Sequence, residues 1–379
     1  MVFFFLPASS SFFSSALAAL PTKTPTGPLL IPLHPSSPAP SRPRLSRPLH
    51  KREKEKSSLQ TRLVSKQKNS IQEEVFIRRR PPGGRATQPC GEFAFGTPQS
   101  EENAPRNILE EIVWYKAYEI EEMRTKAPLA RVVGAAKAAP APRDFIGALR
   151  AGSAGGARPG LIAEVKKASP SKGVIQPDFD PVRIAAAYEA GGATCLSVLT
   201  DKKFFQGDFD FISQIRASGN SLPILAKEFV VEAYQLYRAR AAGADAVLLI
   251  AAVLPNEDLR LLLSASRKVG LQVLVEVHTV GELERVLSLG EPALAGSMLG
   301  INNRDLGTFE VDLDVTRRIM GSDAGKRALA AGKVVACESG VFTPADAAFA
   351  AEQGCGALLV GESLVREGDP AAAVRALLA

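Results

Sequence analysis

From Leu161 onward, short runs of Val, Ile, Leu and Ala alternate with longer stretches in which apolar residues recur among charged ones. The runs predict strand cores at 161–165, 195–200, 224–227, 246–250, 272–277, 295–301, 334–337 and 357–360, with helices between them. Eight such units predict an α/β chain folded as a (β/α)8 TIM barrel. The span from Asn107 to Ala379 is close to the roughly 250 residues usual for that architecture. A doubly wound sheet is the alternative, since local periodicity does not establish closure. Gly191-Gly192-Ala193, Gly243-Ala244-Asp245 and Gly354-Cys355-Gly356 each precede a strand core and read as tight helix-to-strand turns.

Ahead of the repeats, Ile108, Ile112, Val113, Tyr115 and Ile120 recur among Glu and Lys, which predicts an amphipathic helix over 107–124. A second short helix is expected over 144–150, after the break at Pro140 and Pro142. This additional N-terminal helical segment could cover one end of a barrel. Upstream, 53–75 is highly charged, and an Arg run at 78–80 leads into prolines and glycines; this reads as a processing region followed by a linker at 76–105. The barrel body is then 106–379.

Charge separates the leader from the body. Residues 1–52 hold six Lys or Arg and no Asp or Glu, which equals the +6 of the whole chain, and the remainder carries 40 basic and 40 acidic residues. The basic balance therefore belongs to the leader, and no nucleic-acid surface is implied. A start rich in Phe, Ser and Pro, with acidic residues absent until Glu53, fits a transit and processing region over 1–75 for organelle import, in a plastid. A secretory or two-stage signal is the alternative, although positive charge ahead of the apolar segment is missing. Serines and prolines interrupt the leader short of a membrane span, so a soluble body with no membrane after import is expected.

Cys90, Cys195, Cys337 and Cys355 lack paired ligand spacing and read as free thiols. His34 and His50 fall in the leader, leaving His278 in the body, so no metal and no metal catalysis are expected.

Candidate chemistry lies where charge interrupts the strand ends. Glu164 and Lys166 alternate after the first run, Lys227 and Glu228 follow the third, Glu276 and His278 alternate at the fifth, Asn302 and Arg304 follow the sixth, and Glu338-Ser339-Gly340 follows the seventh. Each alone could be a surface loop residue. Together they would ring the C-terminal mouth, where barrel enzymes place their catalytic groups and where carboxylates and lysines divide acid and base work. Glu276 is favoured over His278 as the base, with His278 supporting it. Gly340, Gly361, Glu362 and Ser363, on the last two strand ends, offer backbone N–H groups and a hydroxyl for a phosphate. Ser169, in Ser169-Pro170-Ser171, could close over the same substrate.

Several separated segments resemble the indole-3-glycerol-phosphate synthase family, in its plant-like plastid form. They are LIAEVKKASPSKG at 161–173, SVLTDKKFFQG at 197–207, the long run from Ile224 to Pro255, LVEVHT at 274–279, GINNRDLGTFEVDL at 300–313, ACESGV at 336–341 and LLVGESLV at 358–365. NILEEIVWYKAYEIEEMR at 107–124 looks like the family's extra N-terminal helix, and IRRRPPGG at 77–84 resembles the segment before the barrel in plant-like members. Ala168 and Lys172 depart from the commoner form of the first loop.

The resemblance implies closure of the indole ring of 1-(2-carboxyphenylamino)-1-deoxyribulose 5-phosphate with release of carbon dioxide and water, and implies no cofactor. It makes Lys227 the general acid at the substrate carbonyl, Glu276 the group for later proton transfer, and Lys166 a substrate-binding lysine that assists dehydration. Glu164 and Asn302 would orient these groups. Arg304 would meet the substrate carboxylate, Glu338 and Ser339 the hydroxylated chain, Phe204 and Phe205 the aromatic ring or a mobile cover, and Ser169, Gly340, Gly361, Glu362 and Ser363 the phosphate. The expected partner is a phosphorylated small molecule, met by a monomeric body. Two rivals are a phosphoribosyl isomerase barrel, which would use Asp or Cys where this chain has Lys and Glu, and an inactive scaffold, which would have no use for buried charge.

Overall fold

Eight parallel strands close on one another in chain order, which decides for the barrel over an open doubly wound sheet. They are β1 (Gly160–Val165), β2 (Cys195–Leu199), β3 (Ile224–Lys227), β4 (Ala246–Ile250), β5 (Gln272–Val277), β6 (Ser297–Asn302), β7 (Val335–Glu338) and β8 (Ala357–Val360). The ring closes where β8 pairs with β1, Val360 opposite Ala163. The computed structural model describes residues 104–379 except 154–157 and 306, together with a short antiparallel pair, Pro89–Cys90 with Ala94–Phe95. The leader expected over 1–75 and nearly all of the linker over 76–105 lie outside the described residues.

Four strands match the apolar runs residue for residue, and the others shift at their ends. β6 starts at Ser297 because a one-turn helix, Glu291–Leu294, and the left-handed Gly296 (φ 72°) occupy the residues before it. It continues to Asn302, as β7 continues to Glu338, so both polar residues are the last residues of their strands. Gly192 and Gly243 take φ near 97° and 98° at the ends of the helices Pro181–Gly191 and Ala233–Ala242, a region open to glycine without steric cost. Gly354 (φ 87°) makes the third expected turn.

The N-terminal segment covers both ends of the barrel. Helix α1 (Ile108–Lys126), capped by Asn107 Oδ1 accepting the Glu110 N–H at 2.9 Å, brings Ile108, Leu109 and Ile112 to the C-terminal mouth. Helix α2 (Leu129–Ala138), which the apolar periodicity did not reveal, follows directly and sets Val132 in an apolar cluster with Ile120 and Tyr234. Helix α3 (Phe145–Gly152) closes the opposite end: the Ile146 N–H donates to Gln272 Oε1 at the start of β5, and Leu149 packs against Gly160 at the start of β1. Cys195, Cys337 and Cys355 are buried free thiols.

Candidate active site

Glu164, near the end of β1, and Lys166, just past it, meet: the Lys166 ammonium donates to Glu164 Oε1 at 2.7 Å. β3 ends in Lys227, whose Nζ donates to Glu338 Oε2 on β7 at 2.6 Å and to Glu276 Oε2 on β5 at 3.2 Å. From β6, Asn302 Nδ2 donates to Glu276 Oε1 at 3.2 Å, while Asn302 Oδ1 accepts from the Ser339 hydroxyl at 2.9 Å and the Arg304 N–H at 3.1 Å. Side chains predicted from five separate strand ends thus line one cleft at the C-terminal mouth.

Electrostatics divide the carboxylates. Burial penalises every charge here, yet Glu338, Glu276 and Glu164 together hold the Lys227 ammonium protonated, well above the ordinary lysine range. Glu276 is pushed the other way: against burial, Lys227, His278 and Asn302 hold it far below the usual carboxylate range. Burial lifts Glu338 to about 7, with Lys227 opposing and Glu276 reinforcing the shift. One cation facing two carboxylates therefore leaves Glu276 ionised and Glu338 able to exchange a proton near neutrality.

His278 lies behind Glu276, outside the cleft lining. Its ring nitrogens are 3.3 Å from Glu276 Oε1 and 3.4 Å from Glu282 Oε2, within ion-pair range but without directed hydrogen bonds. Against burial, these two carboxylates raise its pKa to about 10, so it carries charge. A charged imidazole is a poor base, and Glu276, not His278, lines the cleft.

The loop after β7 uses left-handed backbone at Ser339 (φ 62°) and Gly340 (φ 83°), uncommon for serine and held from outside the loop. Asn303 holds it, donating through Nδ2 to the Glu338 carbonyl at 3.0 Å and the Ser339 carbonyl at 3.1 Å, while its Oδ1 accepts from Thr316 Oγ1 at 2.8 Å. Sequence reasoning singled out Asn302 and passed over Asn303, since a residue that shapes a neighbouring turn leaves no spacing signal. It also missed Gly300: a side chain there would overlap Glu338 Oε1. At Gly361, an added Cβ would stand 2.5 Å from Glu164 Oε1. Both glycines make room for carboxylates.

Ser169, Gly340, Gly361, Glu362 and Ser363 line the same cleft. Ser169 lies 3.4 Å (Oγ to Oγ) from Ser171 in a hairpin that pairs 168–169 with 173–174; of the two unusual loop residues, Ala168 is buried and Lys172 exposed. The Ser363 hydroxyl donates to the Val341 carbonyl at 3.3 Å, joining the last two loops. Arg304 also lines the cleft, donates to the Phe309 carbonyl at 3.1 Å and lies 3.7 Å from Glu362 Oε2. The two phenylalanines part company: Phe205 lines the cleft, whereas Phe204 packs edge-on against Tyr115 of α1, 5.8 Å between ring centres, outside the lining.

A family model described as Indole-3-glycerol phosphate synthase matches residues 109–377, from α1 to the last helix. The chain belongs to the indole-3-glycerol phosphate synthase family. Among indole-3-glycerol phosphate synthase relatives, the chloroplastic protein of Arabidopsis thaliana is 48% identical over 301 residues, covering 79% of this chain and 74% of its own. The synthase of Acaryochloris marina is 50% identical over 291 residues, covering 77% and 92%. That of Rippkaea orientalis is 47% identical over 299 residues, covering 79% and 98%. Indole-3-glycerol phosphate synthase membership thus takes in the N-terminal helix as well as the eight strands.

Proposed function

We propose that this chain converts 1-(2-carboxyphenylamino)-1-deoxyribulose 5-phosphate into indole-3-glycerol phosphate, carbon dioxide and water, with Lys227 as the acid that starts the reaction. The observation that carries the assignment is the half-buried Lys227 ammonium, held between Glu276 and Glu338 at the mouth of the barrel. Family membership supports the reaction, and the lysine–carboxylate set argues against an isomerase built on Asp or Cys. A scaffold would gain nothing from this much desolvated charge.

The chemistry asks for a proton where oxyanion charge develops. The ring carbon bearing the carboxylate attacks the ketone carbon, a carbon–carbon bond forms, and the carbonyl oxygen takes a proton from Lys227. Loss of carbon dioxide leaves its electron pair on the ring and restores aromaticity. The new hydroxyl then leaves as water with a proton supplied by Lys166, while a proton from the adjacent carbon passes to a carboxylate. Glu276 is assigned that later transfer, and Glu164 and Asn302 orient the participants. Arg304 would hold the substrate carboxylate, Glu338 and Ser339 the hydroxylated chain, Phe205 the aromatic ring, and Ser169, Gly340, Gly361, Glu362 and Ser363 the phosphate. With Phe204 against Tyr115, its part reduces to backing the loop that presents Phe205.

We further infer import into a plastid, with 1–75 as transit and processing region, 76–105 as linker and 106–379 as a monomeric catalytic body. The Ser- and Pro-rich stretch 1–52, which holds no Asp or Glu, supports import, together with the chloroplastic Arabidopsis relative. Imaging a reporter fused to residues 1–75 tests the destination, and light scattering on the purified body tests its state. The function itself is tested by incubating the purified chain with the carboxyphenylamino substrate. Indole-3-glycerol phosphate and carbon dioxide in equal amounts support it, and bound substrate without product refutes it.

A further inference from the structure

A second set of buried charges, which the reaction does not use, gathers on α1. Lys116 is fully buried, and its Nζ lies 2.6 Å from Glu119 Oε2, 2.6 Å from Asp201 Oδ2 and 2.7 Å from Glu228 Oε1. Glu119 is one turn along the same helix. The other two come from the catalytic face: Asp201 opens the loop after β2, and Glu228 directly follows Lys227.

Both of these carboxylates also hold backbone or a neighbouring loop. Asp201 Oδ1 accepts the N–H groups of Phe204 at 2.7 Å and Phe205 at 3.1 Å, capping the short turn that presents Phe205 to the cleft. Glu228 Oε1 accepts the Phe229 N–H at 2.8 Å, and its Oε2 accepts the Thr200 hydroxyl at 2.8 Å. Thr200 in turn donates its N–H to the Lys227 carbonyl at 3.1 Å. A continuous chain of contacts therefore runs from Lys116 through Glu228 and Thr200 to the backbone of Lys227.

Holding α1 in place does not call for this arrangement. Leu109, Ile112, Val113 and Ile120 already bury the helix's apolar face, and a buried ion cluster carries a desolvation cost that an apolar side chain would avoid. What the ions add is direction, since one ammonium with three carboxylates in reach fixes each of them in place.

We propose that Lys116 is a positioning residue for the reaction: from the N-terminal helix it clamps the segment carrying Lys227 and the loop carrying Phe205, and so sets where the Lys227 ammonium meets substrate. This rests on the reading of Lys227 as the acid. Misplacing a catalytic group by about 1 Å can cost up to roughly 10²-fold in rate with little loss of binding. The clamp is therefore expected to act on kcat and to leave KM nearly alone.

The test compares Lys116→Met, Glu228→Gln, Glu119→Gln and Lys227→Met in the full chain, by steady-state kcat and KM and by thermal unfolding. Lys116→Met is expected to lower kcat about tenfold or more with KM within about threefold, and Glu228→Gln to act in the same direction. Glu119→Gln removes a contact of the same lysine without touching either catalytic segment, and should leave kcat within about twofold. If Lys116→Met does not fold, the contrast between Glu228→Gln and Glu119→Gln decides. Equal kcat in those two variants, or normal kcat in folded Lys116→Met, overturns the clamp. Normal kcat in Lys227→Met would instead remove the acid on which the clamp acts, so the two failures are told apart.

Discussion

The Lys227 ammonium donates to Glu338 Oε2 at 2.6 Å, while the other oxygen of Glu338 is buried without a hydrogen-bond partner. A carboxyl satisfied on one side alone, with Glu276 competing for the same cation, is the group in the cleft whose protonation is most easily changed.

Glu338 titrates near 7 in the fold, above its ordinary 4.5. The stability it contributes is fully present below the lower value and is lost as pH rises through the upper one. Glu338→Gln escapes that loss. Its unfolding free energy relative to the parent should rise by about 3 kcal/mol between roughly pH 5 and 8. A difference that stays flat across this range in denaturant titrations would refute the shift.

Glu276 has the opposite sign. Burial opposes its ionisation, but Lys227, His278 and Asn302 hold it far below the ordinary range, so its contribution is present above the unfolded carboxylate value and disappears as pH falls towards the folded one. Glu276→Gln should therefore flatten the acid limb of the stability profile. At neutral pH it should also cost about 10²–10⁴-fold in turnover, as expected for loss of a positioned acid or base. An unchanged acid limb would count against the Lys227–Glu276 pairing.

Space is as specific as charge. A methyl at Gly300 would overlap Glu338 Oε1 and come within 3.0 Å of Leu274 Cδ1, so Gly300→Ala should displace the carboxyl from Lys227 and lower kcat about tenfold or more. In a Glu338→Ala background the same change should cost little, because the overlapping atoms are gone. Additive losses in the double variant would show that Gly300 acts elsewhere.

The barrel was legible because a strand buried in a barrel is an uninterrupted apolar run and each helix-to-strand glycine marks its end. Glu164, Lys166, Lys227, Glu276 and Asn302 were legible for the same reason, as polar residues where an apolar run stops. Helix α2 was not: its Ala-rich LARVVGAAKA buries only Val132 and Ala136, too few positions to produce a period. Lys116 was hidden differently. On a helix with Glu and Lys on most turns, a buried lysine looks the same in sequence as a solvated one, and its partners Asp201 and Glu228 lie far along the chain. Phe204 and Phe205 could not be told apart, since adjacent residues in a one-turn helix face different ways only once the loop is placed.

On the proposed mechanism, Lys227 supplies the proton for ring closure. Methionine keeps most of the stem but cannot donate, and it leaves Glu276 and Glu338 without their shared cation, so the variant should also lose about 3–5 kcal/mol of stability. The most direct test is single-turnover formation of indole-3-glycerol phosphate by the parent and by folded Lys227→Met, each saturated with the carboxyphenylamino substrate. Product is expected from the parent, with a chemical step slower by about 10²–10⁴-fold in the variant and substrate still bound. A single-turnover rate in Lys227→Met close to that of the parent would contradict this mechanism.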